Sequence, residues 1–273
     1  MLQNNLQMGK PILNELFENK NNHIEEIPEI DKREFIKTVK SRRSVRNFTN
    51  EPVLEKDMRA CLELTLLAPN SSNLQPWEFY WVRDEVKKEK LIDFCLGQPA
   101  ASTAQELVVA VARPDFWKIN QNRMLTLIDE MGEKAPKSVR KYYGKIVPLA
   151  YQQGFLSIKG YIKKLAMEIR GLKKPTPREP YNKRSMAIWA HKSTALACEN
   201  LMLSLRAHGY DSCPMEGMDS SRIKKLLELR SPAEISMVIS AGKRAENGVY
   251  GKQIRFKSKF FIHEVYTIFY FTL

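Results

Sequence analysis

Ala68-Pro69-Asn70-Ser71-Ser72-Asn73-Leu74-Gln75-Pro76-Trp77 joins a helical pattern to a strand pattern, and its reading decides the fold. Upstream, Leu54, Met58, Cys61, Leu62 and Thr65 recur at helical spacing, so Leu54 to Leu67 reads as a helix that Pro69 ends. Downstream, Glu78 to Val82 is aromatic and β-branched, which reads as a strand. Between them five polar side chains sit in a loop stiffened by two prolines. Such a loop suits a heteroaromatic ligand rich in carbonyl and ring-nitrogen atoms. It reads equally as a turn-rich connection.

Asp31 to Lys40 is expected to be a helix capped by Asp31 with Glu34. Asp84 opens a charged helix to about Leu96, and Leu107 to Ala112 has the unbroken apolar run of a buried strand. From Arg113 to Arg184 the chain is rich in lysine and tyrosine and has helical spacing only, with helices near 115–130, 137–150 and 155–169. Pro175, Pro177 and Pro180 then mark an extended linker. Ser185 to His208 is a long helix, expected to start on a Ser185 cap and to stop at Gly209. It is apolar nearly all round, so it belongs at the centre or in a subunit interface. Ser220 to Leu229 is a short helix, Glu234 to Ser240 a strand, and Phe260 to Phe271 a terminal strand or extended arm. The sum is an α+β chain: helices around a small mixed sheet of four or five strands. No strand leads into a GxGxxG turn, which argues against a Rossmann site.

At 273 residues the chain can bury a full core. Its formal charge of +13 points to anionic partners, but the lysines are dispersed and form no long block, so solvated helix faces account for them. Cys61, Cys95, Cys198 and Cys213 include no CxxC pair and no histidine cluster at metal spacing, so no metal is expected. Buried reduced thiols fit a cytoplasmic location. Met1 to Asn22 lacks the apolar stretch of a signal peptide, and Val265 to Leu273 is too short for a membrane-spanning helix. No nucleic-acid or membrane partner is expected, a peripheral membrane contact being left open.

Three further stretches carry candidate chemistry. Ser41-Arg42-Arg43-Ser44-Val45-Arg46 packs three guanidiniums and two hydroxyls into six residues, a phosphate-recognising set or a basic surface turn. Cys213-Pro214-Met215-Glu216-Gly217-Met218-Asp219 places a glycine where backbone can approach a ligand, or forms a helix entry capped by Asp219. Tyr250-Gly251-Lys252-Gln253-Ile254-Arg255-Phe256-Lys257 is a phosphate site or a solvated edge.

Taken together and in this order, "SRRSVRNF", "APNSSNLQPWEF", "CPMEGMD" and "GKQIRFK" resemble the nitroreductase family. The resemblance spans most of the chain outside a 1–30 extension and a helical insertion at about 113–184, leaving 31–273 as one domain. It implies a central mixed, mostly antiparallel sheet flanked by helices, and a homodimer that exchanges C-terminal arms. It further implies FMN held noncovalently between subunits, with hydride passing from NAD(P)H through flavin N5 to a nitroaromatic, quinone or related acceptor. Residue by residue, Arg42, Arg43, Ser44 and Arg46 would contact the flavin phosphate, ribityl chain and pyrimidine edge. Asn70, Ser71, Asn73 and Gln75 would approach from the second subunit. Pro214, Met215, Glu216 and Gly217 would line the ring, the last two with backbone N–H toward N5, and Arg255 with Lys252 would hold the phosphate. Arg46 is expected to stabilise negative charge on the reduced ring. The sequence departs from the family pattern at Gly97-Gln98-Pro99-Ala100, where Gln98 is the nearest substitute for an Asn and a Lys, and at Gln253 in place of a phosphate lysine. The same fold also serves dehalogenation and ring dehydrogenation, so other FMN chemistry stands as the alternative, ahead of a basic nucleic-acid-binding protein.

Overall fold

The apolar run 107–112 becomes the middle of a four-stranded sheet in the computed structural model, which describes residues 26–132 and 135–266. The strands are β1 (Trp77–Trp81), β2 (Glu106–Ala112), β3 (Asp211–Met215) and β4 (Glu234–Gly242), in the order β1-β2-β4-β3 with every neighbour antiparallel. The one parallel contact among the described residues is the bridge between Ser44 and Ser212.

Period-two alternation sends the side chains of β2 to opposite faces. Leu107, Val109 and Val111 join a cluster with Val45, Leu91 and Met215, whereas Val108 and Ala110 join Met58, Cys61, Leu201 and Leu205. Helices cover both faces. On one side α2 (Glu55–Thr65) packs on the 25-residue α9 (Lys183–Ala207); on the other lie α3 (Glu85–Phe94), α4 (Pro99–Ser102) and α10 (Ser220–Leu226). Each fully buried leucine, such as Leu107 or Leu201, contributes about 1.5–3 kcal/mol.

The first helix, α1 (Lys32–Ser41), starts on Asp31 as expected, whose carboxylate accepts from the Arg33 and Glu34 amides. One expectation needs correction, and two that offered alternatives are narrowed. Ser185 does not cap α9: Asn182 does, its side chain accepting from Ser185 N while the Ser185 hydroxyl accepts from Asn182 N, so Ser185 is the inner half of a capping box. The outer stripe of α9, with Ile188 and Leu196, is exposed, so the helix is buried on one side only within the chain. Of the two readings of 260–271, strand or extended arm, the described residues form no strand: Ser258–Phe260 is a 3₁₀ turn and 262–266 is exposed and irregular. The rest of that expectation, like the reading of Met1 to Asn22, lies outside the described residues.

Between β2 and α9 the chain is helical: α5 (Phe116–Glu130), α6 (Lys137–Lys141), a π turn (Tyr142–Ile146), α7 (Val147–Tyr151) and α8 (Ile158–Gly171). The π turn interrupts what the spacing reads as one helix over 137–150.

Candidate functional site

The first basic stretch is fixed to the sheet by backbone. Val45 N donates to Ser212 O and Arg46 N to Gly248 O, which lays residues 44–46 along the outer edge of β3. An ion trio around the buried Asp211 carboxylate anchors the same corner. The Asp211 carboxylate accepts from Arg206 Nη1 at 3.0 Å and from Arg244 Nη2 at 2.5 Å, and Arg244 Nη2 also reaches Ser41 O at 3.4 Å. Sequence reading did not single out Asp211, Arg206 or Arg244; nothing in the local pattern shows that residues thirty apart meet.

Here the first and fourth stretches come together. Arg42, Arg43, Ser44 and Arg46 face residues Tyr250 to Arg255 across a cleft of about 430 Å³. Arg43 Nη2 donates to Gly251 O at 2.7 Å, and the Arg46 guanidinium lies 5.4 Å from the Tyr250 ring centroid. Among the described residues no acidic side chain lines the cleft. Burial pushes the Cys213 thiol pKa up, while the Arg46 and Arg42 charges and the Ser44 hydroxyl pull it down, which puts that cationic set within electrostatic reach of β3. Ser212 Oγ is buried and has no hydrogen-bond partner among the described residues.

The third stretch continues from this edge. Residues 211–215 form β3 itself, and Glu216 and Gly217 follow it, exposed. Pro214 is tolerated inside a strand because β3 is the sheet edge: the Ser212 carbonyl points outward to Val45, and Pro214, two residues on, directs its missing N–H to the same side, away from β4. Gln98 Nε2 donates to Gly217 O at 3.1 Å and to Cys95 O at 2.9 Å, so Gln98 props the glycine turn. Asp219 caps α10, as one of the two readings of that stretch has it.

The amide loop lies elsewhere. Along the ladder Ser212 is level with Ala241 and Glu106, while Trp77 is level with Ala112. Six residues along and three strand spacings across separate Ser212 from Trp77 by on the order of 25 Å, and Ser44 lies one spacing farther out than Ser212. Within one chain the arginines and amides therefore occupy diagonal corners of the sheet.

That loop is held in a costly shape. Ser72, Asn73 and Gln75 are all left-handed, with φ of 60°, 47° and 42°. Such residues cost about 1–3 kcal/mol each and persist only where neighbours enforce them. The enforcing groups come from the helical segment. Tyr143 OH donates to Ser72 O, the Tyr151 hydroxyl sits 3.0 Å from both Ser71 Oγ and Ser72 Oγ, Tyr142 OH is 2.7 Å from Ser72 Oγ, and Asn120 Nδ2 donates to Leu74 O at 2.7 Å. Burial raises the Tyr151 phenol pKa, so it stays protonated in this network. Beside the loop is a second cleft of about 430 Å³, walled by Asn70, Ser71, Tyr151, Trp189 and Lys192.

Among the described residues no group of histidine, cysteine and acidic side chains could hold a metal, and no helix is long and apolar enough to cross a membrane. All four cysteines are unpaired and buried.

Residues 39–243 match the model of the nitroreductase family. A Staphylococcus haemolyticus protein assigned as an NAD(P)H nitroreductase is 28% identical over 200 residues, covering 71% of this chain and 80% of its own. An NADH dehydrogenase of Thermus thermophilus is 28% identical over 207 residues, covering 76% and 85%. A nitroreductase-type protein of Exiguobacterium sibiricum, solved in complex with FMN, superposes with a TM-score of 0.63 at 24% identity, over 88% of this chain and all of that one, a likeness of fold.

Proposed function

The chain belongs to the nitroreductase family, and from that premise we propose that it is an FMN-dependent NAD(P)H oxidoreductase that works as a homodimer on nitroaromatic, quinone or related acceptors. One observation carries the reading: the two arginine-bearing stretches, 42–46 and 250–255, close on a cleft of about 430 Å³ that no acidic side chain lines among the described residues. Guanidiniums in that density repel one another unless an anion joins them, and planar paired donors match phosphate. The residues therefore fit a flavin mononucleotide.

In this reading Arg42, Arg43 and Ser44 with Lys252 and Arg255 hold the phosphate and ribityl chain, and Arg46 faces the pyrimidine edge. Pro214, Met215, Glu216 and Gly217 present backbone to the ring. When bound, FMN carries the electron pair between nicotinamide and acceptor, so the protein needs no nucleophile of its own. Arg46 supplies a fixed positive charge where the ring becomes anionic. The diagonal placement supports a dimer, because Asn70, Ser71, Asn73 and Gln75 reach the same ring only from a second copy. The helical segment 113–184 then serves as an insertion that shapes the acceptor side, with Tyr151 and Trp189 excluding water from the second cleft. Unpaired thiols support a reducing, cytoplasmic setting.

The test is purification followed by FMN titration and NAD(P)H oxidation with and without a nitro compound or quinone. A yellow protein whose NAD(P)H oxidation is stimulated by acceptor is expected. Arg46→Ala should weaken FMN by about 10²-fold, by analogy with charge-matched donors in other active sites. Colourless protein that takes up no FMN, or wild-type FMN affinity in the variant, counts against it.

A further inference from the structure

The helix α8 is built inside out. At 3.6 residues per turn, Ile158, Tyr161, Ile162, Leu165, Ile169 and Leu172 fall within an arc of about 100°. Every one of them is exposed, Leu172 at 84%, and Phe155 (81%) and Leu156 extend the stripe at its start. The opposite, polar side of the helix is the one that packs on the protein. Gly160 is buried against the Tyr181 carbonyl, and Lys163 Nζ donates to Ala150 O at 2.5 Å and Pro180 O at 2.7 Å. Lys164 lies over the Tyr181 ring at 4.4 Å, and Glu168 pairs with Arg178 at 2.8 Å. The polar residues thus have partners and the apolar ones have water. A contiguous exposed apolar stripe of this length marks an interaction surface.

Its rim identifies the occupant. Lys159, Arg170 and Lys173 are exposed along one border of the stripe, and residues 155–174 hold six lysines and arginines against a single glutamate, which is already paired. A second copy presenting the same stripe would set like charges against one another. An anionic surface would neutralise them while the apolar arc enters hydrocarbon, which is the arrangement of a helix lying in a lipid interface.

We propose that α8 docks this protein peripherally on anionic lipid membranes, with the stripe Phe155 to Leu172 inserted at the level of the acyl chains and Lys159, Arg170 and Lys173 on the headgroups. The helix runs about 21 Å along the surface at 1.5 Å per residue and does not cross it. This surface stands apart from the flavin assignment and does not depend on it.

Flotation of the full-length protein with vesicles tests the proposal. Binding is expected to vesicles of phosphatidylcholine mixed with phosphatidylglycerol, weak binding to phosphatidylcholine alone, and release by high salt. Ile162→Ser with Leu165→Ser, both solvent-facing, should lower partitioning at least about tenfold through lost apolar insertion, and Lys159→Glu with Arg170→Glu should abolish the preference for anionic lipid. Failure to float with either vesicle, or equal flotation of wild type and both variants, overturns it. So does sedimentation velocity showing that Ile162→Ser with Leu165→Ser turns a dimer into monomers, since the stripe would then belong to a second copy.

Discussion

Replacing Asp211 by asparagine removes one charge from the trio that fastens β3 to the basic stretch. The carboxylate is buried, 5% exposed, and takes three hydrogen bonds from Arg206 and Arg244. Breaking a buried pair from one side costs about 3–5 kcal/mol, because the remaining charge is stranded. The two guanidiniums, however, are 27% and 34% exposed, so water recovers part of their solvation. That discount brings the expected loss to about 2–3 kcal/mol. For a chain of this size each kcal/mol lowers Tm by about 2–4 °C, so differential scanning calorimetry should show a fall of roughly 4–12 °C. Because Arg244 also holds the Ser41 carbonyl, FMN affinity should fall with it. A Tm within about 2 °C of wild type, together with unchanged FMN binding, would refute the view that this trio positions the cleft.

Gly160→Ala should destabilise by about 1–3 kcal/mol or more, since the added Cβ would stand 1.7 Å from the Tyr181 carbonyl oxygen and backbone must move; urea unfolding measures this. Tyr151→Phe deletes the hydroxyl shared by Ser71 and Ser72, and is expected to cost about 1–2 kcal/mol and to raise the acceptor KM more than it lowers kcat, which steady-state kinetics resolves. Burial pushes the Cys61 and Cys198 thiols up to about 12 and Cys95 to about 11, from 9.0. Folded pKa values above the unfolded ones mean a contribution that is complete below pH 9 and is lost as pH rises from 9 toward 11 and 12. Each thiol should therefore remove about 1.4 kcal/mol per pH unit across that window, and urea midpoints that stay constant between pH 9 and pH 11 would rule it out.

The elements with unbroken patterns were legible in the sequence because burial writes itself into composition: 107–112 through a strand covered on both faces and 54–67 through an apolar stripe on one side of a helix. What failed needed context. Strand β3 contains Pro214, which disguises it as a loop, and only its place at the sheet edge permits it. Ser185 and Asn182 are both good caps, and the choice between them is made by the fold of the 175–181 linker leading in. At the site, the first and fourth stretches meet across one cleft because backbone hydrogen bonds of Val45 and Arg46 to Ser212 and Gly248 bring both to the same edge. The supporting groups stayed hidden: the Asp211 trio and the Tyr142–Tyr143–Tyr151 hydroxyls are ordinary residues made important by distant neighbours. The stripe on α8 was visible as spacing, but spacing does not say which side of a helix meets water.

Diagonal corners also permit mixing. Suppose Arg46→Ala chains are refolded together with Asn73→Ala chains. In the proposed dimer each mixed pair would carry one site with both lesions and one with neither, assembled from the sound arginines of one chain and the sound amides of the other. Two inactive preparations should then regain activity on being combined, a complementation that a pocket contained within a single polypeptide could never display.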